Sequence, residues 1–230
     1  MRKLTCIAFA GALLSAGAFA TPSMAADPGY WGQATPAFNW SGFYAGAHGG
    51  YGTGRYSYIF PSNANVGSTL SGGFGGVQAG YNWHDGGIVW GVEADASLGS
   101  ISGTSVCPTA TFTCNASINF TSTLRGRVGL PMDNVLAYVT AGAALGNIKR
   151  SSTNTANGNT LNQSQTALGW AAGAGVEVAL DQGWSIGGEY LYVDFPRQTF
   201  AGATVGTSTF SQVRIGAHAH TFRVKANFRW

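Results

Sequence analysis

The chain has 230 residues with a formal net charge of +3, and only 9% of its residues are charged, against roughly a quarter in a typical soluble domain. Glycine is abundant at 35 residues, and aromatic residues make up 13%. Such a chain lacks both the solvated surface of an ordinary soluble domain and the dense basic patch of a nucleic-acid binder, so no nucleic-acid partner is expected.

Arg2 and Lys3 precede the apolar run LTCIAFAGALLSAGAFA, which is followed by Ser23 and Ala25 at the small-residue positions of a cleavage site. These are the three parts of a secretory signal peptide, with cleavage expected after Ala25. An uncleaved anchor is the rival reading, disfavoured by the short apolar run. Cys6 precedes most of that run, which excludes lipoprotein attachment. Residues 26–40, rich in Pro and Gly, read as an unstructured periplasmic leader, and 41–230 as one domain.

No later stretch offers the ~20 apolar residues of a spanning helix. Instead eight segments alternate apolar and polar residues with period two: about 41–52, 72–83, 88–98, 119–130, 135–146, 165–180, 184–194 and 218–230. HDGG, PMDN and DQG read as tight turns. Long polar loops are expected near 53–71, 99–118, 147–164 and 195–217, with RSSTNTANGNTLNQSQ low in complexity and mobile. Tight turns at one end and long loops at the other point to an all-β fold: an eight-stranded antiparallel transmembrane up-and-down β-barrel. The last segment runs to Trp230, so no peptidoglycan-binding helix is expected after the barrel.

The third segment fixes the faces. Ile88, Trp90, Val92, Ala94 and Leu98 share one, and Glu93, Asp95 and Ser97 the other. The same alternation places Glu93, Asp95, Glu177 and Glu189 opposite the apolar faces of their strands, together with Arg125, Arg127, Arg223, Lys225 and Arg229. With the apolar faces toward lipid, these charges nearly cancel inside a narrow lumen, where each needs a partner. Counting from the tight-turn end places Glu93 level with Arg125, and Glu189 level with Lys225.

Cys107 and Cys114 lie in CPTATFTC, and export makes a disulfide between them the expected state. His218 and His220 share one strand face and are candidates for heme-iron or metal ligation, although a polar-interface role is the commoner use. His48 points into the lumen. An enzyme would need a nucleophile and base, for instance Ser211 with His218 or His220; no catalytic site, cofactor or metal is expected. Gly-rich runs such as SGGFGGVQAG match no phosphate loop and instead make room for lumenal side chains. Arg55, Lys149, Arg150, Arg197 and Arg214 form a basic rim on the long-loop side, suited to lipopolysaccharide phosphates. Asp85, Asp133 and Asp181 mark the tight turns.

The stretches NWSGFYAGAHGGYG, GGVQAGYNW, VWGVEADAS, LRGRVGL, GAGVEVAL, WSIGGEYLYVDF and HTFRVKANFRW resemble the small porin-like outer-membrane β-barrel proteins of Gram-negative bacteria. These are eight-stranded relatives of the OmpA barrel domain. The terminal strand, with Phe222, Val224, Ala226, Phe228 and Trp230 on one face, is similar to the signal read by the barrel assembly machinery. That signal usually ends in Phe, so Trp230 departs from it. The resemblance implies an outer-membrane surface protein that supports envelope integrity, and some members of the family bind hemin. The leading expectation is therefore a structural barrel with a filled lumen, whose loops meet lipopolysaccharide or host ligands. The alternative is an uptake protein for small solutes or hemin.

Overall fold

A computed structural model describes residues 38–62, 65–108, 111–180 and 183–230. The expected signal peptide, its cleavage site, the leader as far as residue 37, and Asp181 lie outside these residues. Ten strands follow in chain order: β1 (Gly42–Ile59), β2 (Asn65–Asp85), β3 (Ile88–Val106), β4 (Phe112–Met132), β5 (Val135–Asn154), β6 (Thr160–Ala179), β7 (Trp184–Phe200), β8 (Ala203–Val205), β9 (Ser208–Phe210) and β10 (Val213–Arg229). Eight of them close into a barrel in the order β1-β10-β7-β6-β5-β4-β3-β2, every neighbouring pair antiparallel. The short β8–β9 hairpin sits in the connection before β10.

At the tight-turn end, Gly86 and Gly87 take φ of 56° and 93°, and Asp133 takes 53°. Two-residue hairpins need this left-handed backbone, which Gly and Asp tolerate best. At the other end the strands run much further than expected. They are 17 to 21 residues long, against the ten or so that cross a bilayer. Segments expected as loops belong to the ladder: RSSTNTANGNTLNQSQ forms the upper parts of β5 and β6, joined across residues 155–159. Thr, Ser and Asn there pair across strands, as do Thr153 and Thr160 (3.0 Å between hydroxyls). Polar composition had concealed strand-forming backbone.

The outward face of the lower barrel is apolar. Val77, Leu124, Val139, Leu168, Phe222 and Val224 are each more than half exposed. A partial aromatic girdle lies along the lower edge, with Trp83 of β2 stacked on Trp90 of β3 at 4.2 Å and Trp184 of β7 5.3 Å from Phe228 of β10. Higher up, Trp170, Tyr192 and His220 make a second aromatic group.

The interior changes character halfway up. Its lower half is charged, whereas its upper half is an apolar core that includes Tyr56, Tyr58, Ile148, Phe195, Phe200 and Ile215. Bulges make this possible. In β4 the inward residues are Arg127, Arg125 and Thr123 below, but Ile118, Ala116 and Cys114 above, because the register shifts between Ile118 and Phe120. In β7 Phe195 keeps the inward parity of Glu189 and Leu191, and a shift opposite Gly216 then sends Phe200 inward and Arg197 outward. An extra residue flips strand parity. The salt-bridged lumen expected from the sequence therefore fills only half the barrel.

Candidate functional site

The lower lumen gathers all nine expected charges, each at most 8% exposed. Arg125, from β4, reaches three carboxylates: Nη2 lies 2.6 Å from Glu93 and 3.1 Å from Asp95, and Nη1 lies 3.0 Å from Glu189. Lys225, from β10, bridges Glu93 at 2.7 Å and Glu189 at 3.3 Å. Arg127 pairs with Glu177 at 3.0 Å, and Arg223 with Asp95 at 3.3 Å. Arg229 is the loosest member, 3.9 Å from Glu177. Five cations against four acids leave one positive charge in excess. Isolated, any of these charges would be expensive to bury; joined, each carboxylate accepts from at least two partners.

One expected level is corrected. Glu93 does face Arg125 across β3 and β4, but Glu189 faces Arg223, and Lys225 faces Gly187. The β7–β10 ladder starts at Trp184 against Phe228, two residues short of the chain end, which moves the count by two. Lys225 still reaches Glu189 diagonally.

Several members escaped the sequence reading. Tyr44 donates to Glu93 (2.8 Å) and accepts from Arg127 (3.0 Å), and Tyr138 donates to Glu189 (2.9 Å) beneath the Arg127 guanidinium, 4.1 Å from its ring centre. Both tyrosines share strand parity with lumenal residues, a signal that their aromatic character obscured. His48 holds the expected lumenal position, 2.6 Å from Gln78 and 2.8 Å from Ser97. Glycine makes room here: a Cβ on Gly175 would sit 2.6 Å from the Tyr138 hydroxyl. Residues 38–40, read as part of the leader, instead close the lower mouth. Trp40 is fully buried, 4.9 Å from the Arg229 guanidinium, with Phe38 edge-on to it.

Cys107 and Cys114 form a disulfide between the top of β3 and the start of β4, with Cα atoms 5.5 Å apart. His218 and His220 face outward, and Tyr190 Oη is 2.6 Å from His220 Nδ1. Among the described residues no three His, Cys, Asp or Glu side chains gather around a common point. Ser211 lies in the loop before β10, where its carbonyl accepts from Arg150 (3.2 Å).

The five rim residues separate into three places, which corrects the single rim expected. Arg150 is 3% exposed and points inward, held by Ser152 and Gln163 as well as Ser211. It shares inward parity with Ile148 and Ser152, because the β5 ladder continues past the point where a loop was expected. Lys149 is exposed on the outer face of β5. Arg55, Arg197 and Arg214 line one outer concavity on β1, β7 and β10.

An apolar outer face, aromatic girdles and a charged interior make an inside-out barrel, which only a lipid surround explains. Residues 11–228 match the outer membrane protein beta-barrel domain. The chain belongs to that family. It is 31% identical to the 31 kDa outer-membrane immunogenic protein of Brucella melitensis, over 92% of this chain and 95% of the relative. It is 34% identical to a 22 kDa outer membrane protein of Rhizobium leguminosarum, over 72% and 69% of the two chains. The outer membrane protein OprG of Pseudomonas aeruginosa shares the fold at a TM-score of 0.52 and 14% identity, covering 83% of this chain and 97% of OprG. This outer-membrane barrel is thus placed in the cell's outer membrane, its strands crossing lipid.

Proposed function

We propose that the barrel is a structural surface protein that supports envelope integrity without conducting solutes and without catalysing a reaction. The observation that carries this reading is the double filling of the interior: nine interlocked charges below, and the aromatic and aliphatic cluster around Tyr58, Phe195 and Phe200 above. An eight-stranded barrel is just wide enough for side chains to fill. A solute would have to displace both layers in turn. The long upper strands lift polar loops above the membrane, where they are available to ligands outside the cell. The terminal strand, with Phe222, Val224, Ala226, Phe228 and Trp230 facing lipid, suits recognition by the barrel assembly machinery. Conductance of the pure protein in planar bilayers tests the reading. A silent bilayer is expected, and steady large openings would favour uptake of small solutes instead.

A further inference from the structure

We infer that Arg55, Arg197 and Arg214 form one binding site for the anionic headgroup of an outer-leaflet glycolipid. Three strands build it. Arg55 on β1 is the register partner of His218 on β10, and His218 is the partner of Asp194 on β7. Arg214 stands higher on β10. Arg197 reaches the same face only because of the bulge after Phe195, where Pro196 removes a ladder donor and the parity flips. Opposite the bulge, a Cβ on Gly216 would lie 3.1 Å from Arg197 Cγ, so glycine leaves the space through which this side chain passes. The result is a concavity of about 880 Å³.

Charge and height identify the occupant. None of the three guanidiniums has an ion-pair partner among the described residues, and Asp194 is the only carboxylate lining the concavity. Three arginines lining one concavity with a single carboxylate suit an oxyanion, which each guanidinium binds through paired N–H donors. From Trp184 in the lower girdle to Asp194 is ten residues along β7. At ~3.3 Å per residue and a tilt of ~40°, that is a rise of roughly 25 Å, the height of the apolar band of such barrels. The site therefore sits where lipid tails end and headgroups begin, level with Trp170, the register partner of Asp194, and just above Tyr192. A soluble anion has no reason to be met at that level on the outer wall; the phosphates of lipopolysaccharide are. The inference does not depend on whether the lumen conducts.

The test uses the folded full barrel in micelles, with bisphosphorylated lipid A, the same lipid without phosphates, and inorganic phosphate as probes. Thermal unfolding is followed as each is added. Only bisphosphorylated lipid A is expected to raise the midpoint of the wild type. In the triple variant Arg55→Gln, Arg197→Gln, Arg214→Gln, the lipid concentration needed should rise about tenfold, since each exposed ion pair is worth roughly a factor of two to three. Lys149→Gln, which removes a charge from another wall, should respond as the wild type does. An equal response from the triple variant and wild type would overturn the site. So would a wild type equally stabilised by the lipid lacking phosphates, a result that needs no variant to fold. Stabilisation by inorganic phosphate alone, at the same concentration, would overturn the assignment to lipid.

Discussion

Arg125→Met is the most informative single change in the lumen. It removes the only side chain among the described residues that touches three carboxylates, at 2.6, 3.0 and 3.1 Å, and its own side chain has no exposed surface. Glu93 keeps Lys225, and Asp95 and Glu189 keep Arg223, so no acid is left without a cation. What is lost is three charge-assisted hydrogen bonds in a space with little water. Hydrogen bonds to charged groups are worth about 1.5–3 kcal/mol net each, and Met recovers part of the loss by packing, so the change costs about 3–5 kcal/mol. Glu93→Gln preserves shape and one acceptor, which places it near the lower limit, about 3 kcal/mol. Independent effects would sum to roughly 6–8 kcal/mol. The double variant should instead fall short of the sum by about 1–3 kcal/mol, the coupling found for residues in one network. Guanidinium unfolding of the micelle-bound barrel, followed by tryptophan fluorescence, measures all four corners of the cycle. Tyr58→Phe, in the separate upper cluster, serves as the control partner and should add to Arg125→Met within about 0.5 kcal/mol. Strict additivity of Glu93→Gln and Arg125→Met would refute the proposed pairing.

Trp40→Ala should destabilise the barrel by about 3–5 kcal/mol, because a fully buried indole stacked beneath Arg229 is replaced by a cavity; unchanged unfolding would show that the lower mouth needs no plug. Replacing Cys107 and Cys114 by Ser frees a loop of sequence separation 7 and should cost about 2–2.5 kcal/mol. The loss should be seen first as faster hydrogen exchange at the tops of β3 and β4, and uniform exchange along those strands would contradict it. Deleting Phe228 to Trp230 should leave a chain that is secreted but not inserted, scored by fractionation; normal outer-membrane levels would remove the terminus from assembly. Folded protein should also run differently on a gel before and after boiling, since the closed ladder leaves no barrel edge open, and identical mobility would argue against closure.

The lower barrel was legible because two independent patterns agree there. Period-two alternation set the faces, and the scarcity of acids (nine in the chain) left few ways to pair them. Glu93 was counted from the tight turn below β3 and Arg125 from the one below β4, and both origins held. The Glu189 level failed because no tight turn lies below β10, so the count to Lys225 had no fixed origin. The upper barrel was not legible. Ser, Thr, Asn and Gly there look like loop residues, yet paired strands above the membrane can carry them on faces that meet water. Two single-residue irregularities, at Asn119 and at Pro196–Arg197, then reverse which parity faces in. Once the phase shifts, Phe195 and Phe200 cannot both be read as inward from one alternation. Arg150 was misplaced for the opposite reason: an arginine after a long strand reads as rim, although an unbroken β5 ladder turns it inside.

A strand such as β4 is inside-out in lipid and right-side-out above it. Spin labels at single introduced cysteines along β4, from Thr113 to Leu130, test it most directly, read by collision with oxygen in lipid and with a nickel chelate in water. Oxygen contact should peak at Leu124, Val128 and Leu130, with Thr123, Arg125 and Arg127 reached by neither. Past Asn119 the exposed parity should change to Ser117 and Asn115, now reached by the nickel chelate. Nickel access at Leu124 and Val128, or an alternation that continues through Asn119 without a change of phase, would contradict it.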